Sequence, residues 1–380
     1  MSGNGGAADL SGGRGGPVSG EGGGVLDDLP AMARLDAGAM LAAVAAMPDQ
    51  VLDAWARSRE LTLPAGHRAT TSVAVLGMGG SAIGADLVRT IFEDRLAVPL
   101  AAVRGYTLPA WVGPTSLVVA SSHSGATEET IAALQVALER RCPVVVLATG
   151  GPLLDVARRT GLPHLAFPGG GQPRAAVGYS LGLLAGLLEQ AGHLDLAEAE
   201  VRSAVAVGRA VLAGHGPDVA TATNPAKGLA WTLVGRLPVV IGSGALSSVA
   251  RRWKTQLNEN GKSAAVFDEL PEADHNSLVG LDHPEWQDEQ VHAVFLTGAC
   301  DHPRDRLRVD LTAQLLGAAG IGHSEIGLAG ATRLEVGLAG IALGDLVSVY
   351  LGLLYGVDPT PVAVLSELKA RLAARPTAPA

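Results

Sequence analysis

Short runs of branched apolar residues recur along this chain, separated by longer stretches with apolar positions three and four apart. In the first half the short runs are SVAVLG (72–77), VPLAAVRG (98–105), SLVVASS (116–122), PVVVLATG (143–150) and LPHLAFPGG (162–170). Such alternation of strand and helix argues for a parallel sheet with helices on both faces. Residues 25–70 and 175–230 follow helical spacing. The alternation resumes with LPVVIGSGALSSVARRWKTQL (237–257), VHAVFLTG (291–298) and HSEIGL (323–328), and long helices run to the end. The segment LPVVIGSGALS echoes SVAVLGMGGSA: a strand, a glycine-serine loop, then a helix. The predicted architecture is α/β, with two doubly wound parallel-sheet subdomains and flanking helices. N-terminal helices and the first subdomain take 25–215, and the second subdomain takes 216–380. The break falls in a Gly/Pro/Asn-bearing stretch near 213–228.

Composition narrows the function. Of 380 residues only 3% are aromatic, and 28 Lys and Arg face 37 Asp and Glu, for a formal charge of −9 with no basic run. Nucleic acid is an unsuitable partner for such a surface, because affinity for its backbone needs clustered cations. There are only four lysines: Lys227, Lys254, Lys262 and Lys369. Cys142 and Cys300 stand alone, which fits reduced thiols in a cytoplasmic protein rather than a metal cluster or disulfide framework. The first 24 residues hold 11 glycines and no apolar core, the composition of a disordered tail. VGLAGIALGDLVSVYLGLLYGV (336–357) is long enough to span a membrane. The charge of Asp345 near its centre and the lack of basic flanks favour a buried core helix with no membrane partner.

Chemistry is concentrated in two loops. Gly77-Met78-Gly79-Gly80-Ser81-Ala82 satisfies a dinucleotide fingerprint, yet the next strand ends at Arg104 instead of the acidic residue that holds a ribose. An NADP site could use that arginine. Alternatively, Gly79 and Gly80 admit a phosphate to a helix N-terminus, where unpaired N–H groups, the helix dipole and the Ser81 hydroxyl attract an anion without any lysine. A plain capped turn is the third reading. The second loop, SSHSGATEET (121–130), favours phosphate. A cap needs one hydroxyl, and Ser122, Ser124 and Thr127 supply three.

GMGGSAIG and SSHSGATEET together resemble the sugar isomerase (SIS) domain, a flavodoxin-like fold. With QPRAAVGYS (172–180), WKTQLNENGKS (253–263), ELPEADHNSLVG (269–280) and GVDP (356–359), the chain is similar to bifunctional phosphoglucose/phosphomannose isomerases from about residue 70 to 370. That resemblance implies aldose–ketose isomerisation of a hexose 6-phosphate through a cis-enediol, with no metal or organic cofactor. Glu259 would be the base, Arg174 would stabilise the enediolate, and His275 would open the sugar ring from the second subunit of a homodimer. The family also carries a lysine in the helix before GVDP, near Tyr350 here, where this chain has none. Either the helper is dispensable, or His323 or Arg333 replaces it, or the chain is a non-catalytic sugar-phosphate-binding protein.

Overall fold

The computed structural model describes residues 24–375. The glycine-rich stretch read as a tail lies outside them, apart from Gly24. The N-terminal helical region is a 3-10 turn (Val25–Asp27) and four helices: Leu29–Leu35 (α1), Met40–Ala45 (α2), Met47–Ser58 (α3) and Ala65–Arg68 (α4). Left-handed Ala39 breaks the pattern, and the Asp36 carboxylate restarts it by accepting from the N–H groups of Met40 and Leu41 at 2.7 and 2.8 Å.

The first sheet contains the five predicted strands in the order β2-β1-β3-β4-β5, all parallel. They are Ser72–Leu76 (β1), Leu100–Val103 (β2), Ser116–Ser122 (β3), Val144–Ala148 (β4) and His164–Ala166 (β5). The connecting helices are Gly79–Ile91 (α5), Glu128–Glu139 (α6), Gly151–Thr160 (α7) and Val177–Ala191 (α8). Alternate strand residues face opposite layers, as the two-residue pleat requires. Val73, Val75, Leu117 and Val119 pack into the large core with α8, whereas Ala74, Leu76, Val118 and Ala120 pack with α6 and α7.

Helices Glu198–Gly214 (α9) and Pro225–Leu233 (α10) lead to the second sheet. Its strands are Leu237–Ser243 (β6), Val266–Leu270 (β7), Val291–Gly298 (β8) and Gly322–Leu328 (β9), in the parallel order β7-β6-β8-β9. Helix Ser247–Glu259 (α11) follows β6, Gln287–Gln290 (α12) precedes β8, and Pro303–Ala318 (α13) follows β8. Arg333–Leu354 (α14) and Ala363–Ala373 (α15) complete the chain. The pattern missed β7. VFDEL is an edge strand whose only partner among the described residues is β6, so its acidic residues reach solvent and no apolar run marks it.

The apolar helix α14 is buried along its length against α9, α10 and α11. Asp345, 2% exposed, is neutralised inside the protein: Arg252 Nη2 donates to its Oδ2 at 2.6 Å. Small residues let α11 come close. A Cβ on Gly344 would lie 2.2 Å from Trp253 Nε1, which instead donates to the Gly340 carbonyl at 2.7 Å. That contact holds α11 against α14, and Glu259 is the last residue of α11.

Candidate active site

The strand order reverses between β1 and β3, so their carboxyl ends open a crevice of the kind that receives ligands in doubly wound sheets. The register Leu76↔Ala120 brings the two predicted loops side by side. Gly79 has φ 50°, and the direction of its missing side chain is open space. Gly80 serves differently from the sequence reading. A Cβ there would meet the Pro173 carbonyl at 2.7 Å, so this glycine admits the loop that carries Arg174. Ser81 is buried in the first turn of α5. On the neighbouring loop Ser122 Oγ lies 2.8 Å from Thr127 Oγ1 and accepts from Gly125 N–H at 3.1 Å, while Ser124 Oγ accepts from Ala126 N–H at 3.2 Å. These hydroxyls shape the loop. None caps the first amides of α6, for Thr127 at the N-cap pairs its hydroxyl with Ser122 and makes no capping bond to the helix. The amides therefore point outward as free donors.

Arg174, 3% exposed, joins the two halves. Its Nε donates to Asn260 Oδ1 at 2.6 Å, and Nη2 donates to the carbonyls of Pro359 and Thr360 at 2.8 and 2.7 Å. Nη1 completes the set with Gln172 Oε1 at 3.2 Å and Glu259 Oε2 at 3.3 Å. Burial pulls the Arg174 pKa below its usual value, opposed by the charges of Glu259 and Asp345. Glu259 is half-buried against this guanidinium, which fixes its direction. Beside them Lys262 donates Nζ to the carbonyls of Glu259, Pro359 and Pro361 at 2.5, 2.9 and 2.6 Å, and burial brings its pKa down to about 8.

Gly79, Gly80, Arg174 and Glu259 line one cavity of about 350 Å³. Its other polar walls are Arg104, weighed above only for a dinucleotide, and Arg251, Arg252, Lys254, Thr255 and Gln256, which the sequence reading did not assign. Gln256 is 1% exposed, and neither amide atom closes a hydrogen bond; it sits beside Asp345 without reaching bonding geometry. Buried polar groups normally have partners, so this amide is suited to a ligand hydroxyl. Its position one helical turn before Glu259 was the available signal.

The remaining candidates lie away from this cavity. His275 is exposed on the loop after β7 and is not among the residues lining the cavity. Asp274, beside it, accepts from Arg308 Nη1 at 2.6 Å and Thr312 Oγ1 at 2.9 Å, holding the loop to α13. Tyr350, where a lysine was expected, is fully buried: its Oη donates to the His215 carbonyl at 2.7 Å and its ring faces Lys227 Nζ at 5.7 Å. Tyr350 itself does not border the cavity. His323 lies on β9 and Arg333 beside Thr90 and Glu93; neither lines the cavity.

Comparison with known proteins gives the family. The family model for the bacterial phospho-glucose isomerase C-terminal SIS domain matches residues 222–372. The bifunctional phosphoglucose/phosphomannose isomerase of Caldicellulosiruptor bescii is 36% identical over 335 residues, covering 88% of this chain and 99% of that protein. The chain belongs to this isomerase family. The family member from Aquifex aeolicus is 32% identical, covering 78% of this chain and 88% of its own. Among solved structures, a glucose-6-phosphate isomerase like protein from Thermus thermophilus matches with TM-score 0.61 and 24% identity over 90% of this chain and 99% of that one. The tagatose-6-phosphate ketose/aldose isomerase of Escherichia coli matches with TM-score 0.66 and 16% identity, over 84% and 94%. These two show the fold.

Proposed function

We propose that this chain is an aldose–ketose isomerase that interconverts glucose 6-phosphate and mannose 6-phosphate with fructose 6-phosphate. The observation that carries this reading is a carboxylate, Glu259, held by a buried arginine in a cavity that the first strand-end loop, through Gly79 and Gly80, also lines. The phosphate would rest on the amides and hydroxyls of Gly79–Ser81 and Ser122–Thr127, placing C1 and C2 under Glu259. Glu259 takes the proton from C2 and returns it to C1, and the electron pair passes through a cis-enediol. Three N–H groups of Arg174 are fixed to Asn260, Pro359 and Thr360. The two on Nη1, which hold only side chains, are those that can turn to the enediolate oxygen.

His275 would open the ring of a sugar bound in a second copy, as part of a cytoplasmic homodimer. Two features support a second copy. Helix α15 has no buried residue and exposes Leu365, Leu368 and Leu372, and α13 exposes Leu307, Leu311 and Leu315 every fourth position. The decisive test is exchange of C2 deuterium with solvent. Incubating glucose 6-phosphate deuterated at C2 with the protein should release deuterium and form fructose 6-phosphate. Calorimetric binding with neither exchange nor product would leave a sugar-phosphate-binding protein instead. Mixing Glu259→Gln with His275→Gln chains should restore activity if the histidine crosses between copies.

A further inference from the structure

The cavity contains more positive charge than one phosphate cradle explains. Arg174 is matched by Glu259 and Arg252 by Asp345. On the remaining wall Arg104 Nη2 and Arg251 Nη1 both donate to one oxygen, Oδ2 of Asp86, the latter at 3.2 Å. Asp86 is 8% exposed, so it anchors both guanidinium groups from below while their side chains stay 35% and 42% exposed. The Arg251 guanidinium also lies over the Phe267 ring, with its carbon 4.9 Å from the centroid, which holds its plane in place. Lys254, half-buried on the same wall, pairs with no carboxylate among the described residues. The wall therefore carries a surplus of two positive charges on ordered side chains. A smaller cavity of about 120 Å³ continues behind Arg251 and Phe267, bordered by Arg89 and Glu269.

A phosphate monoester carries close to two negative charges at neutral pH, the same magnitude as the surplus. The strand-end loops, by contrast, offer neutral amides and hydroxyls. We propose that Arg104, Arg251 and Lys254 form a second anion position in this cavity, which receives the second phosphate of a hexose bisphosphate. The idea rests on the placement of the first phosphate at the strand ends. A hexose 1,6-bisphosphate has its anomeric oxygen esterified, so its ring cannot open and it occupies the site without reacting. Such a ligand would restrain the enzyme by competition.

Two non-reacting probes test this by calorimetry on the full chain: glucitol 6-phosphate and glucose 1,6-bisphosphate. The bisphosphate should bind at least 10-fold tighter, with the advantage shrinking as salt is raised from 0.05 to 0.5 M, because the added contact is ionic. The double substitution Arg104→Gln, Arg251→Gln should erase the advantage and leave glucitol 6-phosphate binding within about 3-fold. Lys254→Met disturbs no ion pair, and it should weaken only the bisphosphate, by about 3- to 10-fold. Equal binding of the two probes, or equal loss of both in these variants, overturns the proposal; the latter would mean that the wall holds the single substrate phosphate. Ser122→Ala with Thr127→Val separates the two ideas. It should weaken both probes alike, and no effect on either would fault the strand-end cradle instead.

Discussion

At the carboxyl ends of β1 and β6, the first strand of each sheet in the chain, the backbone turns in nearly the same way. Met78 has φ −126° and ψ 157°, and Ser243 has φ −128° and ψ 155°. The glycines that follow, Gly79 and Gly244, have φ 50° and 49°. Each turn stands where the strand order reverses, and the registers Leu76↔Ala120 and Ile241↔Phe295 place Thr297 where the first sheet has Ser122. The contents differ. In the second turn Ala245 and Leu246, both buried, fill the space. Beyond β8 the chain offers a carboxylate, Asp301, whose Oδ2 accepts from the Gly298 N–H at 2.7 Å. An amide already taken by an internal anion does not draw another, and the negative charge repels phosphate. Backbone geometry creates two crevices; side chains leave one of them fit for an anion.

The second half contributes its helix instead by the opposite end, through Glu259 at the last residue of α11. The sharpest test of that division of labour is Glu259→Gln. It should lower kcat by about 10²- to 10⁴-fold and abolish C2 exchange, the range expected when a positioned base is lost. Glucitol 6-phosphate binding should stay within about 3-fold if the phosphate grip belongs to the first half. Activity above a tenth of the wild-type value would place the base elsewhere.

Legibility in the sequence followed the same asymmetry. Strands β1, β3 and β4 were readable because each is a largely buried apolar run, and the two loops after β1 and β3 because glycine and hydroxyl spacing is local. The edge strand β7, with Asp268 and Glu269 in VFDEL, looked like loop. The cationic wall was invisible: Arg104 and Arg251 are far apart in sequence, and only the buried Asp86 brings them together. Gln256 could be found only by following one face of α11 back from Glu259. Counting back from Gly356 led to Tyr350, but counting along a helix does not say which face turns to the cavity, and Tyr350 turns toward His215.

A second contrast concerns acid. The registers that equate Ser122 with Thr297 also equate Leu117 of β3 with His292 of β8. His292 is 4% exposed; it accepts from Arg236 Nη1 at 3.0 Å and its Nε2 lies 2.8 Å from Ser324 Oγ. Burial, with the charges of Arg236 and His323, lowers its pKa from 6.5 to about 4. Between those values the unfolded chain binds a proton that the folded chain refuses, so stability present above pH 6.5 is lost as pH falls toward 4. The loss attributable to this residue is at most about 3 kcal/mol. Urea unfolding at pH 7, 5 and 4 should show His292→Gln losing less stability with acid than wild type does. Parallel curves for the two proteins would remove His292 as the sensitive group.

The smallest expected effect lies at the second crevice itself. Asp301 is half-buried, and burial raises its carboxyl pKa against the pull of the Gly298 N–H. Asp301→Asn keeps an oxygen for that amide while removing the charge. If the second switch point takes no part in substrate binding, kcat/KM should stay within about 2-fold of wild type, and stability should move by no more than about 1 kcal/mol, the value of one such hydrogen bond. A gain in phosphate binding at a second site, read as a calorimetric stoichiometry rising from one to two per chain, would show that the carboxylate alone had closed the crevice. An unchanged stoichiometry assigns that closure to the packing of Leu246. A loss of activity beyond 10-fold would mean that the two halves share the substrate, contrary to the division drawn from their turns.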